Sequence, residues 1–292
     1  MDFLHNMNWV LPFRSDNATI VANAFTWLGY TTFFLIALPI TYWLWDRTKA
    51  MRLVVIIAIT AVLNGWLKDL WEDPRPPREI WLDQRVEGSY GRPSGHAQVA
   101  FAMWIWIAYE MKRAWAWPVA IFIIAGVCLS RLYLGVHDID DILTGLSLGV
   151  IGIALFVWMQ SSVFAPIRSL PTPIHIGIIV IIGAILFATW PNGHDASQTI
   201  GVLVLLTGWL IGADIDHRLA PNDPVLPNWI GKIATAVIGI VLLFALRIGL
   251  TKGVELAGFK GTVPGEYLIT FVLGFYMTCI APMIFRAVKL AK

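Results

Sequence analysis

Residues 115–160 read WAWPVAIFIIAGVCLSRLYLGVHDIDDILTGLSLGVIGIALFVWMQ. Two apolar runs, at about 115–131 and 141–160, flank a short polar insert that holds Ser130, Arg131, His137 and Asp141. Runs this apolar belong in a bilayer. In lipid a strand would leave backbone groups unpaired, so both read as membrane helices. The same reading extends outward. Further runs lie at roughly 26–45, 51–67 and 97–110 on the N-terminal side, and at 174–190, 199–213, 229–250 and 267–285 on the other. A break at Pro166, Pro171 and Pro173 separates five spans from four. The expected fold is all-α, a polytopic membrane helical bundle of about nine transmembrane helices. Residues 1–165 carry the polar clusters, and 166–292 form a C-terminal four-helix membrane extension.

Composition agrees. The chain has 292 residues, 58% hydrophobic and 14% charged. A soluble domain is nearer half apolar and about a quarter charged, and one buried core cannot hide the excess. Disorder, collagen, a disulfide scaffold and a nucleic-acid binder are excluded. A helix needs about 20 apolar residues to cross the hydrocarbon, so nine would use about 180. Cys128 and Cys279 lie in apolar runs and read as buried small hydrophobes, with no disulfide or metal site. The start MDFLHNMNWVLPFR lacks a charged segment followed by an apolar one, so no cleaved signal peptide is expected.

Lys and Arg set the orientation. Placing Arg47 inside also puts Lys49, Arg52, Lys112 and the tail Arg286, Lys289 and Lys292 inside. The inside then holds more cations than the outside, the more so once Lys68, Arg75 and Arg131 are reserved for chemistry. The N-terminus is read as outside and the C-terminus as inside. The polar stretch from Lys68 to His96 then faces away from the cytosol.

Three polar clusters sit at span ends. The first runs from Lys68 to Arg75-Pro76, the second is Pro93-Ser94-Gly95-His96, and the third joins Ser130-Arg131 to His137 and Asp141. No span separates the first two, and two spans separate the second from the third. All three therefore converge on one membrane face. Three cations with the N–H groups of a helix start make an anion site, and phosphate is the obvious guest. His137 and Asp141 are four residues apart, so on a helix they share a face. The carboxylate can hold one imidazole N–H and aim the other nitrogen outward, which is how a nucleophile is activated. A second histidine, His96, can serve as general acid. The implied reaction is attack on phosphorus, a phospho-histidine intermediate and hydrolysis, with the cations stabilising the equatorial oxygens. No metal and no cofactor are required.

The clusters match the KxxxxxxRP, PSGH and SRxxxxxHxxxD signature at every position. By these motifs the chain resembles the type 2 phosphatidic acid phosphatase superfamily. That resemblance implies that His137 is the nucleophile, Asp141 its orienting partner and His96 the acid for the leaving alkoxide. Lys68, Arg75, Arg131, Ser94 and the Gly95 backbone would hold the phosphoryl group. It also implies metal-independent action on membrane lipid phosphates. The segment CLSRLYLGVH and the nine-span plan are similar to those of glucose-6-phosphatases and sphingosine-1-phosphate phosphatases, and Asp141 favours the second layout.

Each feature has a plainer reading. Lys68 alone would be a snorkelling lysine, Arg75 a loop arginine and His96 a helix-end histidine. The joint pattern on one face outweighs these. Arg78, Arg85 and Arg92 read as solvated loop residues before partners for a second phosphate. Asp138 and Asp140 read as interfacial or as tuning His137. Asp214, Asp216 and His217 read as a solvated turn, not a metal cluster. Asn64 is expected to bond between helices, and the tryptophans at span ends to form an interfacial belt.

The expected function is an integral membrane phosphomonoesterase whose partners are an amphiphilic phosphate substrate and membrane lipid. A sphingoid-base phosphate leads, followed by phosphatidate, phosphatidylglycerophosphate, and polyprenyl phosphate or diphosphate. The expected place is a bacterial inner membrane with the site facing the periplasm. The rivals are a lipid phosphotransferase and a flippase with a vestigial site, and the intact His96, His137 and Asp141 count against the second.

Overall fold

The computed structural model describes residues 4–221 and 228–290. Lys292, used above for orientation, and part of the stretch from Asp214 to Asn228 lie outside the described residues. The helices are α1 (Asp16–Trp27), α2 (Thr31–Leu44), α3 (Arg47–Trp71), α4 (Gly95–Met111), α5 (Ala116–Tyr133), α6 (Ile139–Met159), α7 (Ala165–Arg168), α8 (Thr172–Ala188), α9 (Ser197–Leu219), α10 (Trp229–Leu256), α11 (Val263–Phe275) and α12 (Ala281–Ala287).

Six helical segments are long and apolar enough to cross a membrane, and up to eight if each of two bent pairs counts as one span. The expected nine is therefore not reached among the described residues, and the reasons are local. The first span, expected at 26–45, is the pair α1 and α2, bent by 53°. Gly29 lies at the bend, and a Cβ there would overlap the imidazole of His96. The sixth is α8 with the short helical segment before it, bent by 108° where Pro171 precedes the helix. The third is α4, whose 17 residues rise about 25 Å, short of the roughly 30 Å core.

The chain forms two compact units that alternate along the sequence. Unit 1 comprises residues up to Phe34, Val55–Val163 and Trp190–His194. Its centre is α4, which packs against α5 and α6. Glycines make this approach possible, as small residues do between membrane helices. A Cβ on Gly145 would lie 2.6 Å from the Ser94 carbonyl, and one on Gly149 3.0 Å from the Gln98 carbonyl. Polar side chains tie α3 to α4. Asn64 Nδ2 donates to Gln98 Oε1 (2.8 Å) and to the Pro93 carbonyl (3.2 Å), and Gln98 Nε2 donates to the Thr60 carbonyl (3.0 Å). The expected helix-to-helix role of Asn64 is what the structure shows.

The loop between α3 and α4 folds back over the same end of the unit. Ile80 and Val86 are buried, and the Leu82 amide donates to the Leu134 carbonyl. The N-terminal segment packs there too, with Met7 and Val10 against Ile80, Leu132 and Ile142.

Unit 2 comprises Leu35–Val54, Phe164–Thr189 and the described residues from Asp195 onward. Gly208 and Gly212 in α9 lie against Phe271 and Phe275, and Gly239 in α10 lies against Trp43. Between α11 and α12 the chain makes a π turn over Tyr276–Ile280. Pro282 explains it, since its ring cannot follow an α-helical carbonyl at Thr278 and it offers no N–H. The expected solvated turn at Asp214, Asp216 and His217 is overturned. α9 continues through these residues, and Asp216 is fully buried. It accepts from Arg286 Nη1 (2.7 Å), Arg47 Nη2 (2.9 Å) and Tyr42 OH (3.2 Å). A carboxylate with two guanidinium partners can leave water.

Because Gly145 has no room for a side chain, Gly145→Val should cost about 1–3 kcal/mol by overpacking. A thermal melt of the detergent-solubilised protein would read this as a lower Tm. An unchanged Tm would mean that α4 and α6 are not packed as described.

Candidate active site

His137 lies two residues before α6 begins. The helix start is a capping box: Asp138 Oδ1 accepts from the Asp141 amide (2.9 Å), and Asp141 Oδ2 accepts from the Asp138 amide (3.2 Å). Asp141 Oδ2 is also 2.8 Å from His137 Nδ1. The pair forms as expected, but through a helix cap and not along a helix face. A carboxylate partner places the proton on Nδ1 and leaves a lone pair on Nε2. Both residues are buried, His137 at 2% exposure and Asp141 at 0%. His5 adds a partner to the cap, with Nδ1 2.6 Å from Asp138 Oδ2.

Arg75 meets the lone pair. Its Nη1 is 3.1 Å from His137 Nε2 and donates to the Val136 carbonyl (2.6 Å), while Nε donates to the Ser89 carbonyl (2.7 Å). Burial first, then the charge of Arg131, pushes Arg75 down to about 10, so it stays a cation at neutral pH. Lys68, in the last turn of α3, donates from Nζ to the carbonyls of Tyr90 (2.8 Å) and Gly91 (3.0 Å). Arg131, in the last turn of α5, is completely buried. Its Nη1 donates to Thr26 Oγ1 (2.5 Å) and Asp83 Oδ2 (3.2 Å).

Ser94 precedes α4, and its amide donates to the Asp141 carbonyl (3.0 Å), tying the start of α4 to the start of α6. Gly95 opens α4, where first-turn amides have no partner within the helix. His96 follows, with the Tyr30 ring edge-on at 4.8 Å. Among the motif residues, five buried polar atoms have no hydrogen-bond partner in the protein: four that can donate, Ser94 Oγ, His96 Nε2 and Nε and Nη2 of Arg131, and one that only accepts, Asp141 Oδ1. Buried groups of this kind are costly unless something polar answers them. A tetrahedral oxyanion answers the four donors, since each can donate to an oxygen.

Burial, followed by the charges of Arg75, Arg131 and Lys68 and by His96, holds His137 well below the usual histidine range. The three expected cations and the second histidine therefore all act on one imidazole. Such an imidazole is unprotonated at neutral pH, as a nucleophile must be.

Other expectations resolve differently. Arg78 pairs with Glu87 (2.5 Å), Arg85 with Asp83 (2.8 Å), and Arg92 with Asp140 (2.5 Å). All three loop arginines are thus engaged with carboxylates. Asp138 caps α6, and Asp140 holds Arg92. Asp83, Tyr30 and Thr26 around Arg131 carry no motif and were not anticipated. No signal in the sequence marks Asp83, because it is one of five acidic residues (Glu72, Asp73, Glu79, Asp83 and Glu87) interleaved with four arginines in the α3–α4 loop.

Comparison with known proteins follows this geometry. Residues 49–164 match the family described as "PAP2 superfamily", and residues 200–292 match "PAP2 superfamily phosphatase, transmembrane extension". The chain is 35% identical over 248 residues to sphingosine-1-phosphate phosphatase 2 of Mus musculus, covering 75% of this chain and 69% of that one. It is 25% identical over 301 residues to sphingosine-1-phosphate phosphatase 2 of Homo sapiens, covering 89% and 75%. Among solved structures, a PAP2-type phosphatidylglycerolphosphate phosphatase from Bacillus subtilis is 24% identical with a TM-score of 0.46, covering 53% of this chain and 82% of that one.

The depressed pKa of His137 has a consequence for folding. Below about pH 6.5 the unfolded ring takes a proton that the folded ring refuses, so stability falls as pH falls. The slope from this one group approaches about 1.4 kcal/mol per pH unit. Melting curves from pH 7 to pH 5 should show it, and His137→Gln should make the slope shallower. An equal slope in the variant would assign the effect elsewhere.

Proposed function

The chain belongs to the PAP2 superfamily and is a membrane lipid phosphatase, and from that premise we propose that it hydrolyses a lipid phosphomonoester at the site built around His137. The observation that carries this reading is the His137 imidazole, oriented by Asp141 and set among three cations and four unpartnered hydrogen-bond donors.

His137 Nε2 attacks phosphorus, and the bond from phosphorus to the lipid oxygen breaks. His96, which takes up a proton beside the incoming phosphate dianion, gives that proton to the leaving alkoxide. Lys68, Arg75, Arg131, Ser94 and the Gly95 amide hold the equatorial oxygens, where charge collects in the transition state. In the second half, neutral His96 takes a proton from water, the water oxygen attacks the phospho-histidine, and inorganic phosphate leaves. Every proton is carried by a side chain of the protein, so the cycle proceeds without a metal ion.

A sphingoid-base phosphate is the leading substrate, supported by the names of the relatives that this chain resembles over most of its length. A single phosphate is favoured over a diphosphate by a separate observation. The loop arginines that would meet a second phosphate, Arg78, Arg85 and Arg92, are already paired with Glu87, Asp83 and Asp140. Residues 1–165 carry the chemistry in this reading, and 166–292 are a membrane extension. In this reading the site faces away from the cytosol, as the distribution of Lys and Arg supports, and the membrane is the inner membrane of a bacterium.

Inorganic phosphate release by the detergent-purified protein in EDTA tests the proposal. The panel holds sphingosine 1-phosphate, phosphatidate, phosphatidylglycerophosphate, polyprenyl diphosphate and glucose 6-phosphate, with His137→Ala as blank. The wild type should release phosphate fastest from a lipid monophosphate and more slowly from the diphosphate. His137→Ala should fall by at least about 1,000-fold, as loss of a nucleophile does. Release by His137→Ala at the wild-type rate would remove His137 from the mechanism.

A further inference from the structure

Arg131 is a bare guanidinium in the interior, and one carboxylate answers it. Asp83 comes from the α3–α4 loop and is 3% exposed. Its Oδ2 accepts from Arg131 Nη1 (3.2 Å) and from Tyr30 OH, and its Oδ1 accepts from Arg85 Nε (2.8 Å). Thr26 Oγ1 takes a second bond from the same Arg131 Nη1 (2.5 Å). One corner of the guanidinium is therefore pinned twice. Because the group is planar, pinning Nη1 limits where Nε and Nη2 point. Those two nitrogens are the ones left buried without a partner.

The carboxylate reaches the second histidine as well. Tyr30, held by Asp83 through its hydroxyl, packs its ring edge-on against His96 at 4.8 Å and 83°. Gly29 also lies against that ring, where no side chain would fit. The Arg85 guanidinium lies 4.0 Å over the Tyr30 ring and pairs with the same carboxylate. Burial works against ionising Asp83, but the hydrogen bonds from Arg85 and Tyr30 and the charge of Arg131 outweigh it, so the group stays a carboxylate at every working pH.

We propose that Asp83 is a positioning residue of the phosphatase reaction, aiming the free edge of Arg131 at the phosphoryl group and, through Tyr30, setting the plane of the His96 imidazole. This rests on the functional reading above. Asp83 touches neither substrate nor reacting atoms. It fixes the angle between the group that holds phosphate and the group that protonates the leaving oxygen.

A double-mutant cycle separates this from a structural role. Asp83→Asn alone should lower kcat about 10- to 100-fold, the usual cost of misplacing a catalytic group by about an ångström. In an Arg131→Lys background, which keeps the cation but has no planar fork to aim, the same change should cost less than about threefold. Asp83→Glu, which keeps the buried charge balance, is run through the same cycle, so a folding failure of the amide variant still leaves a coupling to measure. Tyr30→Leu supplies an independent readout. It should slow hydrolysis of an alkyl monophosphate more than that of p-nitrophenyl phosphate, because only the poor leaving group needs a well-aimed His96.

Additive losses in the cycle, or a Tyr30→Leu loss equal for both leaving groups, would overturn the proposal. A wild type that releases no phosphate would instead overturn the functional reading itself.

Discussion

One carboxylate oxygen holds the site together. Asp141 Oδ2 accepts the Asp138 amide, which starts α6, and faces His137 Nδ1, which sets the tautomer of the nucleophile. The backbone carbonyl of the same residue accepts the Ser94 amide, which leads into α4. A single residue thus places the helix carrying it, the imidazole before it and the start of the neighbouring helix. Helix starts leave amide donors unanswered, and the site turns both sets to use. One set is spent on Asp138 and Asp141, and the other, at Gly95, stays open to an anion.

The bilayer explains the rest of the packing. Between lipid-facing helices there is no water to expel, so association depends on close backbone approach and on hydrogen bonds that lipid cannot offer. Gly145 and Gly149 bring α6 against α4, and the Asn64, Gln98 and Thr60 network fixes α3 to α4. These contacts set the height at which Lys68, at the end of α3, stands relative to His96, at the start of α4. Unit 2 solves the same problem around Asp216, which answers Arg47 and Arg286 together.

Much of this was legible in the sequence, because it depended on period and spacing. Apolar runs marked the helices, and the three clusters marked the chemistry, since His137 and Asp141 interact across only four positions. What escaped depended on partners far along the chain. Asp83 is 48 positions from Arg131, in a loop whose path no local rule dictates. Asp216 looked solvated because its neighbours are polar, and it is buried because arginines from two other helices converge on it. The helix break at Gly29 was hidden inside an apolar run, since it answers the ring of His96 and no signal in its own segment.

The contact between Arg75 and His137 gives the resting protein a further property. The lone pair on Nε2 faces a guanidinium N–H at 3.1 Å, so the most reactive atom of the site is occupied by its neighbour. Only a better acceptor than an imidazole nitrogen can draw that N–H away, and a phosphate oxygen is one. An uncharged electrophile of similar size has nothing to offer the arginine. The nucleophile is thus kept in reserve and unmasked by the negative charge of the group it attacks, so selectivity for phosphoesters begins before any bond is made.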